Sequence, residues 1–158
     1  MKTNRSTSRL FAVQILYESF FGERTVDVIL KDYLAGNTGT ELLSENPYTG
    51  KEEAVSVIPP DTTLLSGLVS AYLSRRDDIE AMLTASLTAN WTKERTDSLL
   101  WAILSAGVAE LLSYPETPTA VVLNEYVDIA ESFYSRKSPE LSVANGILNK
   151  IAKSVREE

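Results

Sequence analysis

Neither cysteine nor histidine occurs among the 158 residues. Without cysteine there is no disulfide, no thiolate nucleophile and no sulfur ligand for a metal. Without histidine, the commonest general base at neutral pH and the commonest metal ligand are both missing. Ser/His/Asp triads, Cys/His dyads and histidine zinc sites are thereby excluded. Carboxylates remain, but Asp77–Asp78 and Glu52–Glu53 are adjacent pairs. Neighbours on a helix point about 100° apart, so neither pair converges on one substrate atom, and both read as solvated surface. The expectation is a binding protein, with no catalytic residue, no metal and no cofactor.

Long apolar runs are also missing. None approaches the roughly 20 residues of a membrane span. The opening Met1-Lys2-Thr3-Asn4-Arg5 leads into an amphipathic segment and not into a signal-peptide core. A cytoplasmic protein with no membrane partner is expected.

What is present fits one domain over residues 1–158, with an ordinary apolar fraction of 44%. A chain of this length buries roughly two-thirds of its unfolded surface, enough for one core. The net charge of −7 argues against a general nucleic-acid binder.

Helical periodicity dominates. Leu10, Val13, Leu16, Tyr17 and Phe20 predict a helix over 8–22, started by Ser6 or Ser8 and stopped by Gly22. A shorter helix is predicted over 25–34. Residues 35–60 carry Gly36, Gly39, Pro47, Gly50, Pro59 and Pro60 and read as a long loop insertion, with Val55, Val57 and Ile58 available to pack back. Asp61 caps a helix over 62–74, and Asp77 or Asp78 opens another. Thr96 and Asp97 cap a strong helix whose apolar stripe contains Gly107, placed for close helix approach. Thr117-Pro118 and Ser138-Pro139 each supply a cap followed by a first-turn proline. No strand pattern of useful length stands out. The fold class is therefore all-α, a compact bundle of about seven helices in two three-helix halves.

Charge is uneven along this bundle. Lys2, Arg5 and Arg9 are the only charged side chains before Glu18, and the rest of the chain holds 12 basic against 22 acidic residues. A short basic arm on an acidic body suits contact with a few phosphates. Hydroxyls at Thr3, Ser6, Thr7 and Ser8 can add hydrogen bonds to them.

Four colinear segments carry a family resemblance. Arg9-Leu10-Phe11-Ala12-Val13-Gln14-Ile15-Leu16-Tyr17 resembles the opening helix of the NusB family of transcription antitermination factors. Trp91, Arg95, Leu99, Ala102-Ile103-Leu104, Gly107 and Glu110-Leu111-Leu112 resemble its "W…R…L…AIL…G…EL" helix. Pro115, Pro118, Val121-Val122-Leu123-Asn124-Glu125 and Ala130 resemble its "P…P…VVINE…A" segment, and Asn145-Gly146-Ile147-Leu148 its closing "VNGVLD" helix. Only residues 35–60 fall outside the likeness.

The resemblance implies binding of boxA RNA in ribosomal RNA transcripts, together with NusE, a small-subunit ribosomal protein. It implies assembly with RNA polymerase and other Nus factors. Some members are homodimers, and the likeness leaves a homodimer open here. Carried over residue by residue, it implies RNA contacts at Lys2, Arg5, Arg9 and Gln14, and a partner surface at Tyr17 and Asn145. Tyr17 and Gly146 also read as packing residues, and Gln14, off the apolar stripe, as exposed. Asn124, Glu125 and Trp91 read as structural.

Departures from the family pattern weaken the RNA contacts. Ser6, Thr7 and Ser8 stand where the family often continues its basic run, Val143-Ala144 replaces Phe-Val, and Asn149 replaces Asp. Arg136 and Lys137 are two further basic residues able to compensate. Two other classes stay open. One is an acidic adaptor that binds NusE-like proteins without RNA. The other is the RNA-binding domain of a ribosomal RNA methyltransferase, which needs a catalytic domain and a cysteine that this chain lacks.

Overall fold

The computed structural model describes residues 3–36, 58–88 and 91–156, and the backbone alone of 41–45 and 52–56. Seven α-helices run in the order α1 (Asn4–Ser19), α2 (Val26–Leu34), α3 (Thr62–Ser74), α4 (Arg76–Ser86), α5 (Ser98–Ser113), α6 (Thr119–Phe133) and α7 (Pro139–Val155). The all-α expectation holds. Helices α1, α2 and α3 pack on one another, as do α5, α6 and α7, and α4 bridges α3, α5 and α7. The two three-helix groups are therefore real. The segment 35–60 lies inside the first group, between α2 and α3.

Most boundaries follow from caps. Asp61 accepts the Leu64 amide, and Asp97 accepts the Leu100 amide. Each satisfies one of the amides that a helix start leaves without an intrahelical partner. Pro139 occupies the first turn of α7 behind Ser138. The start of α1 differs from expectation. Thr3 is the cap, accepting the Ser6 amide, so Ser6, Thr7 and Ser8 lie within the helix. The end of α1 comes at Ser19, and Gly22 follows in the left-handed region at φ 79°.

The 35–60 segment is not wholly loop. Strands β1 (Glu41–Glu45) and β2 (Glu52–Ser56) pair antiparallel, with Leu43 opposite Ala54. Each strand is only five residues long, too short to show a period against the Gly and Pro around it. Val57 lies outside the described residues. Ile58 is exposed and does not pack back onto the body.

Helix α5 is the axis of the molecule. Every residue from Ala102 to Leu111 is buried, because α1, α3, α4, α6 and α7 all pack against it. A helix buried all round needs apolar residues all round, and the sequence supplies them with two exceptions, the small Ser105 and the charged Glu110. Gly107 has the role expected of it. A Cβ there would sit 3.0 Å from Leu148 Cδ2 and 3.4 Å from Tyr126 Cγ, so α6 and α7 come closer than alanine allows without rearrangement.

Candidate RNA and partner interface

The first turn of α1 carries no acidic residue. Its free amides and helix dipole favour an anion. Arg5 projects from it with its side chain 48% exposed, 3.9 Å from Asp61. An exposed pair at that distance contributes little, so the guanidinium stays available to phosphate. Lys2 lies outside the described residues. The hydroxyls beside Arg5 are engaged internally. Ser6 Oγ donates to Glu125 Oε1 at 2.9 Å, Thr7 Oγ1 to the Thr3 carbonyl at 3.3 Å, and Ser8 Oγ to the Asp61 carbonyl at 2.8 Å. Ser6 and Ser8 tie α1 to its neighbours and Thr7 bonds back to the cap of its own helix, so none is free for phosphate.

Arg9 corrects the sequence reading more sharply. Its side chain is 2% exposed. Nε and Nη2 donate to the two oxygens of Glu110 at 2.8 Å each, and Nη1 lies 3.3 Å from Glu125. Tyr126, fully buried, donates its hydroxyl to Glu110 at 2.9 Å. Burial alone would pull the Arg9 guanidinium down. The hydrogen bond and charge of Glu110 outweigh that and hold it above its ordinary value. The planar fork is filled by carboxylates, so Arg9 cannot face an RNA phosphate from this position. Its charge had suggested solvent, whereas its helical phase, four residues before Val13, is that of the core.

The remaining candidates divide. Gln14 is half-buried against α2, its Oε1 3.5 Å from the Tyr33 hydroxyl, and not freely exposed. Tyr17 is neither core nor fully exposed; it packs edge-on against Phe21 with centroids 5.0 Å apart. Phe21 itself is 62% exposed, an apolar group that the sequence reading passed over. Arg136 and Lys137 are both exposed. They do not join the arm at Arg5. The neighbouring Tyr134 hydroxyl donates to Asp97 at the start of α5, whereas Arg9 meets Glu110 near its end. Thirteen helical residues separate those points by roughly 20 Å. The basic positions thus form two patches at opposite ends of the bundle.

Asn145 is exposed on α7, its carbonyl and Oδ1 both accepting from Asn149 Nδ2. Gly146 has nothing within 4 Å of where a Cβ would stand, so packing does not explain it. It borders an apolar groove with Trp91, Val143 and Ile147. In an exposed helix interior, glycine costs about 0.8–1 kcal/mol relative to alanine. Gly146→Ala is therefore expected to stabilise the free protein by about that amount in urea denaturation. A loss of stability would mean that the backbone there needs glycine. Trp91 is structural as read: its Nε1 donates to Thr96 at 3.0 Å and Arg95 lies over its ring.

These positions have relatives. The family model described as the NusB family matches residues 6–153. The chain belongs to the NusB family. A transcription antitermination protein NusB of Rhodospirillum rubrum is 35% identical, covering 97% of this chain and 85% of its own. That of Sphingopyxis alaskensis is 33% identical over 98% of this chain and 96% of its own. In structure, the NusB fold recurs in a crystal structure of antitermination factors NusB and NusE in complex with dsRNA. The TM-score is 0.71 at 19% identity, over 98% of this chain and 99% of the other. It recurs again in T. maritima NusB, with TM-score 0.71 at 20% identity, over 97% and 93% of the two chains.

The polar groups of this NusB fold set its pH response. Burial first, then Glu18, pushes the Tyr33 hydroxyl up to about 12. Burial first, then Glu110, holds Tyr126 well above its ordinary value. Both phenols bind their protons more tightly folded than unfolded. Their contribution is complete below the unfolded value near 10 and is lost as pH rises through the folded values. Denaturation midpoints should stay level from pH 6 to 9, where no histidine titrates, and fall above about 10. Tyr126→Phe should soften that alkaline fall. An unchanged fall in the variant would remove Tyr126 from the account.

Proposed function

We propose that this chain is a transcription antitermination factor that binds boxA RNA of ribosomal RNA transcripts jointly with NusE and joins RNA polymerase and other Nus factors in the cytoplasm. The observation that carries it is the acid-free first turn of α1 with Arg5 exposed on it, set on a NusB fold whose structural neighbour is a NusB–NusE complex with RNA. Arg5 at one end and Arg136 and Lys137 at the other are the proposed phosphate contacts, with Lys2, which lies outside the described residues, as a fourth. Tyr17 and Asn145 are proposed to face the protein partner. The acidic body suits a basic ribosomal protein. A homodimer in the absence of that partner is compatible with the same surfaces.

With Arg9 buried, few cations are left for RNA. About three or four phosphate contacts correspond to a salt slope of roughly −2 to −3 on single-stranded RNA. The chain alone should therefore bind boxA RNA weakly, and useful affinity should appear only with NusE. Filter-binding titrations across salt, with and without NusE, check this. Tight binding without the partner would contradict it. The same buried Arg9 favours a second reading, an acidic adaptor that binds NusE without using RNA. Charge reversal of Arg5, Arg136 and Lys137 separates the two, since complex formation on RNA would be unchanged if the chain is only an adaptor.

A further inference from the structure

We propose that Arg9 is a positioning residue: it ties the second turn of α1 to Glu110 on α5 and Glu125 on α6, fixes the exposed first turn that presents Arg5 to an RNA phosphate, and touches no nucleotide itself. This rests on the RNA-binding reading above. Arg5 and Arg9 are four residues apart and so share one side of α1, yet one is half-exposed and the other buried. Glu125 links them. One of its oxygens accepts from Ser6 in the first turn at 2.9 Å and lies 3.3 Å from Arg9 in the second.

Without the Arg9 charge, Glu110 and Glu125 would present two uncompensated carboxylates beneath the arm and repel phosphate. Glu110 is fully buried, and among the described residues its only full compensating charge is this guanidinium. The opposite flank of the arm is held differently. Asn4 Nδ2 donates to the Pro59 carbonyl at 2.9 Å, and Ser8 to Asp61 on the approach to α3. The first turn therefore sits between a neutral clamp and an ionic one, and Arg9 supplies the ionic one. Lysine cannot reproduce the two-pronged contact with Glu110, although it keeps the charge.

The test compares wild type, Arg9→Lys and Arg5→Gln, each with NusE, on a single-stranded boxA oligonucleotide across a salt series. Arg5→Gln removes a phosphate contact and should reduce the slope by about 0.7. Arg9→Lys should weaken binding roughly threefold or more while leaving the slope unchanged. Backbone amides of residues 6–10 should exchange faster in Arg9→Lys, while those of α7 keep their protection. In the wild type, the Arg9 Nε–H resonance should hold its position when RNA is added and that of Arg5 should move, a readout that does not depend on any variant folding.

A reduced slope for Arg9→Lys, or an Arg9 signal that moves with RNA, would make Arg9 a direct contact and overturn the proposal. So would a stability loss with RNA affinity unchanged, since that describes a merely structural pair. If wild type with NusE fails to bind RNA at low salt, the functional reading falls first, and the positioning role falls with it.

Discussion

Glu110→Ala is expected to destabilise the protein by about 3–5 kcal/mol, a large share of the roughly 5–15 kcal/mol that holds a domain folded. The carboxylate is fully buried on the central helix and receives three hydrogen bonds, two from Arg9 and one from Tyr126. Removing it leaves a guanidinium with 2% exposure facing its one other carboxylate, Glu125, and a buried phenol without its acceptor. The cost comes from the stranded partners more than from the pair's own attraction. The double variant Arg9→Met with Glu110→Leu should accordingly recover much of the loss, since the two most deeply buried charges leave together and only the partly exposed Glu125 and the Tyr126 hydroxyl lose a partner. Urea denaturation followed by circular dichroism measures both. A loss below about 1 kcal/mol for the single variant would mean that water reaches the pair.

That network also shows what local sequence can and cannot reveal. The helices were legible because their signals are local: Asp61 and Asp97 as caps, Pro139 in a first turn, apolar residues at helical spacing. Gly107 was legible because a glycine inside an apolar stripe has few other uses. The Arg9–Glu110 pair was not, because its halves lie 101 residues apart. Each half carried a signal of its own. Glu110 is the one charged residue of a largely apolar helix, and Arg9 falls in phase with Val13 and Leu16. A charge on a buried face demands a counter-charge, but only the fold says which one. The serines and threonine at 6–8 misled for a related reason. Hydroxyls suit caps, phosphates and helix-to-helix bonds alike, and here Ser6 and Ser8 took the third use while Thr7 turned back onto its own helix. The separation of Arg136 and Lys137 from Arg5 was likewise a matter of helix direction, since α1 runs antiparallel to α5. The two short strands β1 and β2 lacked enough alternating positions to announce themselves.

Arg156 had no signal at all, and Arg156→Ala carries the second large effect, an expected loss of about 2–3 kcal/mol. Nε donates to the Leu111 carbonyl at 3.1 Å, Nη2 to Tyr114 at 2.7 Å and Nη1 to Thr117 at 2.6 Å. These carbonyls lie in the last turn of α5 and in the turn leading to α6, where no intrahelical amide can reach them. One guanidinium therefore closes the end of the central helix and fixes the departure of α6, the helix that carries Glu125. Nη1 also donates to Thr119 Oγ1 at 3.2 Å. Hydrogen bonds from a charged donor contribute about 1.5–3 kcal/mol each, but four on one partly exposed group do not add in full. Lysine is no substitute, because a single ammonium cannot reach three carbonyls spread in a plane. Arg156→Lys should thus lose nearly as much as Arg156→Ala, and thermal or urea denaturation distinguishes the cases. If lysine restored most of the stability, the contribution would be one of charge at a helix end and not of geometry.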